Sequence, residues 1–394
     1  MEKKILFPPN FLWGSATSAH QVEGDTSNDW IEWEKKGGSK HLSGKACNHW
    51  DLRQFEEDVE RMQILCLNAY RMSIEWSRVM PKPGIIDQRV LDQYRQMLTI
   101  LRQAGISTMV TLHHYTNPIW FVKKGHWANA SLEPFYVYVD AVTKALANNV
   151  DYWNTFNEPF ILVSMGYLAG RWPPGKKTRG VSAFHLRSNL RNRFVESHNE
   201  VYKIVKRNTE RPVGLVHNFT SFEAAHDRAI ERAIAWLQDK IANHWIVEHT
   251  KNDFLGVNFY QRQLFSGLCP LPVSGLGKRV SDDGREINPQ SLTRVLRGLG
   301  RYNLPIYITE NGVADANDRL REGFIRDHIK AFQLAMRAGV DVRGYFHWSL
   351  LDNFEWDEGY TKRFGLIEVN FETQERRIRP SAYIYRDIIR ATDS

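Results

Sequence analysis

The sequence predicts a (β/α)8 barrel, an α/β fold of the TIM-barrel class in which residues 1–394 form a single domain. Three observations lead to this prediction. Short apolar segments recur along the chain, a segment with helical periodicity follows each of them, and polar residues stand at the ends of the apolar segments. Strands that alternate with helices lie parallel and are joined by right-handed crossovers, and eight such units close into a barrel.

Eight apolar segments are predicted as the strands, at 11–16, 67–73, 107–113, 150–156, 211–217, 253–259, 304–310 and 342–348. Two inward helical faces are predicted between them, one formed by Phe55, Val59, Met62 and Cys66 and one by Phe135, Val139, Val142 and Leu146. A doubly wound open sheet is the competing architecture. It is disfavoured because no glycine-rich phosphate-binding motif follows the first strand.

The composition fits one large globular unit. The chain has 394 residues, of which 42% are hydrophobic and 25% charged, and it shows neither a linker nor an internal repeat. The apolar run after Lys3 and Lys4 stops at Pro8, too short for a signal peptide, and no apolar run reaches membrane-spanning length. We therefore expect a cytoplasmic protein with no membrane partner.

The cysteines and the net charge exclude further classes. Cys47, Cys66 and Cys269 are far apart and lack metal-ligand spacing, so neither a disulfide framework nor a metal site is predicted, and no cofactor motif is present. The net charge of +7 is densest over residues 187–212. The apolar residues of that segment predict the inner face of a helix with a solvated basic outer face, so no nucleic-acid partner is expected: Val195, Val201, Ile204 and Val205.

Polar residues at the carboxyl ends of barrel strands converge on one rim, where barrel enzymes build their sites. In this chain the candidates are Gln21, Arg71, His113, His114, Asn157, Glu158, Asn258, Glu310 and Trp348. Any one of them alone would more often be a structural polar residue, and it is their shared position that indicates a functional site.

Two carboxylates, Glu158 and Glu310, end two different strands. A facing pair of carboxyl groups suits cleavage of a glycosidic bond, in which one protonates the leaving oxygen and the other meets the developing positive charge. Side chains that can bind sugar hydroxyls are also present, as are indoles that can cover the apolar face of a sugar ring. The hydroxyl partners are Gln21, His114, Asn157 and Glu355, and the indoles are Trp348 and Trp356.

With these motifs the chain resembles the family 1 glycoside hydrolases, from "FLWGSATSAHQVEG" near the start to "GYTKRFGLIEVN" near the end. The resemblance implies a retaining β-glycosidase that acts by double displacement through a covalent glycosyl-enzyme. Glu158 in "TFNEP" would be its acid/base and Glu310 in "ITENG" its nucleophile. The implied partner is a small-molecule β-glycoside or oligosaccharide whose terminal sugar is a non-phosphorylated β-D-glucoside, galactoside or fucoside.

The resemblance also implies roles for the remaining candidates. The positions that match the glycone-binding residues are Gln21, His114, Asn157, Glu355 and Trp356, and Trp348 matches the sugar platform. The positions that match the motifs around the nucleophile are Arg71, Asn258 and Tyr260. Glu355 stands where the family binds the 4- and 6-hydroxyls, and its negative charge would repel a 6-phosphate.

The neighbours of the two carboxylates predict different protonation. Arg71 and Tyr260 would hold Glu310 ionised, as a nucleophile requires. Phe156 and Phe160 flank Glu158 and would keep it protonated by desolvation.

The chain departs from the family pattern at some positions. It is shorter than usual, and Tyr115 with Thr116 replaces the more frequent Trp-Asp after the paired histidines. Two other functions remain open: a transglycosidase that uses the same intermediate, and a non-catalytic sugar-binding relative. A pure binder would have no need of both carboxylates and of the residues that orient them. The preferred glycone, the aglycone and the oligomeric state are left open.

Overall fold

The computed structural model describes residues 7–271 and 279–392 and confirms the predicted barrel. Eight parallel strands close on themselves in chain order, with the first hydrogen-bonded to both the second and the eighth. The barrel strands are β1 Leu12–Ala16, β2 Ala69–Ser73, β3 Ser107–His113, β4 Tyr152–Asn157, β5 Val213–Asn218, β6 Phe254–Asn258, β7 Ile306–Asn311 and β8 Val342–Trp348. Each lies within one of the predicted segments or overlaps it with a shift of one or two residues.

A main helix follows each barrel strand. These helices are α1 Leu52–Ile64, α2 Gln88–Gln103, α3 Glu133–Leu146, α4 Gly180–Asn208, α5 Ala229–Asp239, α6 Pro289–Leu299, α7 Arg321–Arg337 and α8 Pro380–Thr392. Shorter helices lie in the connections, at Ala19–Val22, Asp29–Lys35, Trp76–Val79, Ile119–Lys123, His126–Asn129, Pro159–Leu162 and Trp245–His249. Two small sheets lie outside the barrel, one of Ser221–Ala224, Arg262–Ser266 and Cys269–Pro270, the other of Ile367–Val369 and Arg376–Ile378.

The apolar faces of the helices pack against the outside of the barrel. All four residues of the face predicted for α3 are fully buried, and the valines and the isoleucine predicted for the inner face of α4 are buried as well. The face predicted for α1 was wrong at its last position. The helix ends at Ile64, Cys66 takes a left-handed backbone with φ 55°, and Leu65 is the residue that enters the core.

The interior of the barrel is filled and is not a pore. Side chains from several strands pack together inside it. The members of this inner cluster include Leu12, Ala69, Met109, Phe254, Tyr307 and Phe346. In the described ranges, no helix combines the length and the apolar character needed to cross a membrane.

The glycine of "ITENG" is required by close packing at the top of the barrel. A Cβ atom at Gly312 would lie 1.8 Å from the carbonyl oxygen of Trp348, the last residue of β8. Any side chain there would push β7 and β8 apart directly beside Glu310. The glycine therefore keeps the two strand ends that carry Glu310 and Trp348 in contact.

Candidate active site

A cavity of about 360 Å³ opens at the carboxyl ends of the barrel strands. Both predicted catalytic carboxylates line it, together with six other predicted site residues. The lining residues that the sequence predicted are His114, Asn157, Glu158, Tyr260, Glu310, Trp348, Glu355 and Trp356. Polar residues at the carboxyl ends of the strands are predicted to share one site, an assumption we call the strand-end rule. Most of the candidates chosen by this rule do line one cavity.

Three predicted residues lie behind the cavity wall, where each is fully buried: Gln21, Arg71 and Asn258. Arg71 and Asn258 contact residues that do line it. Gln21 donates from its amide to Asn353 Oδ1 and to the carbonyl of Phe354, and it accepts from Ser18. Its hydrogen bonds hold the loop that carries Glu355, and its role in binding a sugar stays a prediction.

Glu310, near the end of β7, is held by two donors. Arg71 Nη1 lies 2.5 Å from Glu310 Oε1, and the hydroxyl of Tyr260 donates to Oε2 at 2.7 Å. The carboxylate is 4% exposed, so both of its oxygens are fixed by the protein. Such a carboxylate is aimed and has a cation beside it.

The protonation expected for Glu310 needs a correction. Burial raises the pKa of Glu310 to about 7, and the nearby charge of Glu158 adds to the rise. Arg71 and Tyr260 lower this pKa, as the sequence predicted, but they do not outweigh the loss of solvation. The sequence identified the two groups that lower the pKa of Glu310. It could not show how deeply this strand end is buried, and burial has the larger effect on the pKa.

This balance leads to a prediction for Tyr260→Phe. Glu310 can attack only when ionised, and the hydroxyl of Tyr260 is one of the groups that lower its pKa. Without that hydroxyl the pKa rises further, so the acid limb of kcat/KM should move to higher pH by about one unit. The loss of activity should be larger at pH 6 than at pH 8. Tyr307→Phe, which removes a hydroxyl in the barrel interior, is the control; an equal loss at both pH values would contradict the prediction.

Asn157, the last residue of β4, contacts side chains from three other strand ends. Its Oδ1 accepts from Arg71 Nη2 at 2.7 Å and from Asn258 Nδ2 at 3.1 Å. Since arginine only donates, the amide nitrogen of Asn157 must face His114 Nε2, which lies 3.1 Å away and accepts. Burial, with Arg71 and His113 nearby, lowers the pKa of His114 well below its usual value, so the ring is neutral.

The tautomer of His114 follows from this network. With Nε2 accepting, the proton lies on Nδ1, which is buried and has no hydrogen-bond partner among the described residues. His114 lines the cavity, and its Nδ1–H is a donor that the described residues leave without a partner. The neighbouring His113 faces away: it contacts Asn117 and an aromatic cluster that includes Trp127.

Glu158 follows β4 and has an unusual backbone conformation. Its φ and ψ of 44° and 55° are left-handed, a conformation that costs free energy for a residue with a side chain. Pro159 then begins a short helix at a position where its missing N–H is not needed. The N–H of Glu158 donates to the carbonyl of Val216 at 2.9 Å and holds this turn in place.

The surroundings of Glu158 also differ from the expectation. Its Oε1 accepts from Asn218 at 3.0 Å and from Asn258 at 2.7 Å, and its Oε2 accepts from the hydroxyl of Tyr115. The two phenylalanines that flank it in sequence point elsewhere, Phe156 toward Trp127 and Phe135 and Phe160 toward His217 and Trp245. The acid group is therefore surrounded by neutral donors and not by an apolar pocket.

Glu355 lines the same cavity and is in contact with an indole. Trp348 Nε1 donates to Glu355 Oε1 at 3.2 Å. Burial raises the pKa of Glu355 to about 8, while Trp348 and Arg285 lower it. The carboxyl group is mostly neutral at pH 7, so the charge repulsion expected against a 6-phosphate is weaker than the sequence predicted.

Several lining residues were missed. Asn218 ends β5 and could have been found by the strand-end rule, which was not applied to that strand. Arg171 and Trp172 both bind Asp357, and Arg285 lies over the ring of Tyr260 at 4.8 Å. These three come from loops between the barrel elements, for which the sequence pattern gives no signal. In the described ranges, no group of three or more His, Cys, Asp or Glu residues is arranged to hold a metal ion.

Comparisons with known proteins show the family to which the chain belongs. The chain matches the model of glycosyl hydrolase family 1 over residues 3–252 and 246–394. It is 30% identical to beta-glucosidase A of Thermotoga maritima, with 98% of each chain covered, and 29% identical to a beta-galactosidase of Pyrococcus woesei, with 98% of this chain and 97% of the relative covered.

Solved structures are similar over the same extent. A beta-glycosidase from Pyrococcus horikoshii superimposes with a TM-score of 0.89 at 36% identity, covering 98% of this chain and 95% of the other. The beta-glucosidase from Thermotoga maritima in complex with glucoimidazole gives a TM-score of 0.90 at 28% identity, covering 98% and 99%.

Proposed function

This chain belongs to glycosyl hydrolase family 1 and is a β-glycosidase of the glucosidase and galactosidase type, and we propose that it acts by a retaining double displacement. Glu310 is the nucleophile and Glu158 the acid/base. The observation that carries this assignment is the difference between their partners. Arg71 places a positive charge beside Glu310. Among the described residues, the side chains that donate to Glu158 are all neutral: Tyr115, Asn218 and Asn258.

That difference decides where the negative charge resides. The charge of Glu158 is one of the causes that raise the pKa of Glu310, so Glu310 needs a group that stabilises its negative charge. A cation stabilises a carboxylate more than a neutral donor does, so Arg71 favours the ionised form of Glu310, which is the form that attacks. This is the arrangement that the first chemical step needs.

In the first step Glu310 attacks the anomeric carbon, and the bond from that carbon to the leaving oxygen breaks. Glu158 gives its proton to that oxygen, so the aglycone leaves as a neutral alcohol. In the second step Glu158, now a carboxylate, takes a proton from water. The water oxygen attacks the anomeric carbon and displaces Glu310, which regains its charge.

The cavity also carries partners for the sugar that is being cleaved. His114 offers a free Nδ1–H, Glu355 a carboxyl group fixed by an indole, and Trp348 and Trp356 apolar faces. A sugar ring needs this combination, because its hydroxyls lie around its edge and its C–H bonds on its faces. We therefore propose that these residues bind the terminal glycone.

A panel of aryl β-glycosides tests the proposed function. We expect hydrolysis of the β-glucoside or β-galactoside and none of the matching α-glycosides, and the relative rates will also show whether the fucoside is used. Adding an alcohol as acceptor shows how much of the intermediate is transferred to it instead of to water. A folded protein that bound the glycosides without releasing the aryl group would contradict the proposal and support a sugar-binding role.

We propose further that the enzyme prefers glycosides without a 6-phosphate. The basic residues of "GYTKRFG" are engaged elsewhere: Lys362 donates to the carbonyl of Asp282 and Arg363 to the carbonyl of Val369. The two arginines in the cavity wall are paired with acids, Arg171 with Asp357 and Arg285 with Asp283. The basic side chains that could bind a 6-phosphate are therefore already engaged in other interactions.

A competition experiment checks this preference. We expect kcat/KM for an aryl β-glucoside to exceed that for its 6-phosphate at least about tenfold, a difference of about 1.4 kcal/mol. The preference should hold at pH 6 as well as at pH 9. Its main cause is that the nearby lysine and arginine side chains already have partners, and the charge of Glu355 contributes less. A higher kcat/KM for the phosphorylated substrate would contradict it.

A further inference from the structure

Tyr115 lies beside the proposed acid/base, Glu158. It follows His114 just beyond the end of β3, and its side chain is 4% exposed. Its hydroxyl donates to Glu158 Oε2. Its ring packs edge-on against Trp172 at 5.0 Å and Trp356 at 5.1 Å, so the position of the hydroxyl is fixed from two sides.

The backbone of Tyr115 is held in a costly conformation. Its φ is 73°, in the left-handed region that residues with a side chain avoid. Glu158 and Trp356, which also line the cavity, have φ values of 44° and 54°. Such strain persists only where the surrounding structure imposes it, and it is concentrated at functional sites. With this backbone conformation the hydroxyl of Tyr115 reaches Glu158 Oε2.

The hydroxyl of Tyr115 is a donor to Glu158 whenever that group is ionised. Burial and the charge of Glu158 raise the pKa of Tyr115 well above 10, so the phenol keeps its proton throughout the neutral range. Asn218 and Asn258 already occupy the other oxygen of Glu158. Tyr115 is thus the donor on the oxygen that the two asparagines leave free.

We propose that Tyr115 is a positioning residue that orients Glu158 and sets the pH at which this carboxyl group exchanges its proton. This inference rests on the proposed function. When Glu158 protonates the leaving oxygen, it becomes a carboxylate, and the hydrogen bond from Tyr115 stabilises that form. The same bond holds the carboxylate in place until it takes the proton of the attacking water. Tyr115 therefore assists the release of the proton and directs its return.

Other charged and titratable groups lie around Glu158, and their own titrations must be distinguished from that of Glu158 in any test. From the cavity wall and from behind it they are His114, Arg71, Arg171, Tyr260, Arg285, Glu310 and Glu355. Among them Glu310 is coupled most directly, since the charge of Glu158 is one of the causes that raise its pKa. A measurement that can be repeated in a Glu310→Gln background separates the two titrations.

The experiment compares the native enzyme with Tyr115→Phe, which removes the hydroxyl and keeps the ring. Glutamate labelled with ¹³C at the side-chain carboxyl reports each titration by NMR, and Glu158→Gln identifies the Glu158 signal. We expect the midpoint of Glu158 to move up by about one pH unit in Tyr115→Phe, in the native and in the Glu310→Gln background. The basic limb of kcat/KM on a β-glycoside with a poor leaving group should move in the same direction.

Tyr138→Phe is the matched control. Tyr138 is also fully buried, but its hydroxyl donates to the backbone carbonyls of Ile74 and Leu112, outside the cavity. We expect no shift there. If Tyr115→Phe does not fold, Tyr115→Met serves as the variant without a hydroxyl. An unchanged Glu158 midpoint in a folded variant would overturn the proposal. A native enzyme without β-glycosidase activity would instead contradict the proposed function, because the NMR titration needs no turnover.

Discussion

Replacing Glu310 by alanine is expected to lower kcat/KM about ten-thousandfold or more on every β-glycoside, which corresponds to about 5 kcal/mol. The variant loses the atom that forms the bond to the anomeric carbon, and no other described carboxylate has a cation and a phenol directed at it in this cavity. The loss should not depend on the leaving group, because activation of the aglycone cannot replace the missing nucleophile. Initial rates on aryl β-glycosides with leaving groups of different pKa measure this.

A buried carboxylate outside the cavity provides the control. Glu231 is fully buried on α5 and accepts from the N–H groups of His226 and Gly267. Glu231→Gln should keep its kcat/KM within a few-fold, provided that the variant folds. If Glu310→Ala retained more than about one per cent of the native activity on any β-glycoside, Glu310 would not be the nucleophile.

Glu158→Ala should have a different effect. On substrates with poor leaving groups, loss of the proton donor should cost about a hundredfold to ten-thousandfold. On substrates with activated aryl groups the first step needs little protonation, but the second step has lost its base. We expect a rapid burst of aryl alcohol followed by slow turnover, because the glycosyl-enzyme accumulates.

Added azide distinguishes this effect from simple damage to the site. Azide is already an anion and needs no base, so it should attack the accumulated glycosyl-enzyme and restore turnover, with a β-glycosyl azide as product. Glu310→Ala, which forms no glycosyl-enzyme, is the matched control and should yield no β-glycosyl azide. Equal losses in Glu158→Ala across all leaving groups, without acceleration by azide, would contradict the acid/base role.

The sequence predicted the barrel well because strand and helix periodicities depend on local burial. All eight strands were located, and the strand-end rule identified the residues that the barrel carries to its rim, among them Asn157, Glu310 and Trp348. In a closed parallel barrel the carboxyl ends of the strands lie on one rim, and this does not depend on the conformation of the loops. That part of the site can therefore be deduced without coordinates.

Other parts of the site depend on loop geometry and on energy differences that a sequence does not display. Arg285 and Trp172 reach the cavity from connections whose path is set by tertiary contacts such as the pair of Trp172 with Asp357. The pKa of Glu310 results from burial opposed by Arg71, and only the fold shows how complete that burial is. Glu158 adjoins two phenylalanines in sequence, yet the turn at its own backbone directs it toward Tyr115 and two asparagines.

The central claim is that a β-glycoside is cleaved in two displacements at the same carbon, first by Glu310 and then by water. The most direct test is to follow the hydrolysis of an aryl β-glycoside by ¹H NMR in the first minutes, before the free sugar mutarotates. Two inversions restore the starting configuration, so the account predicts that the β-anomer of the sugar appears first and the α-anomer only later. Release of the α-anomer as the first product would mean a single displacement by water and would contradict the account.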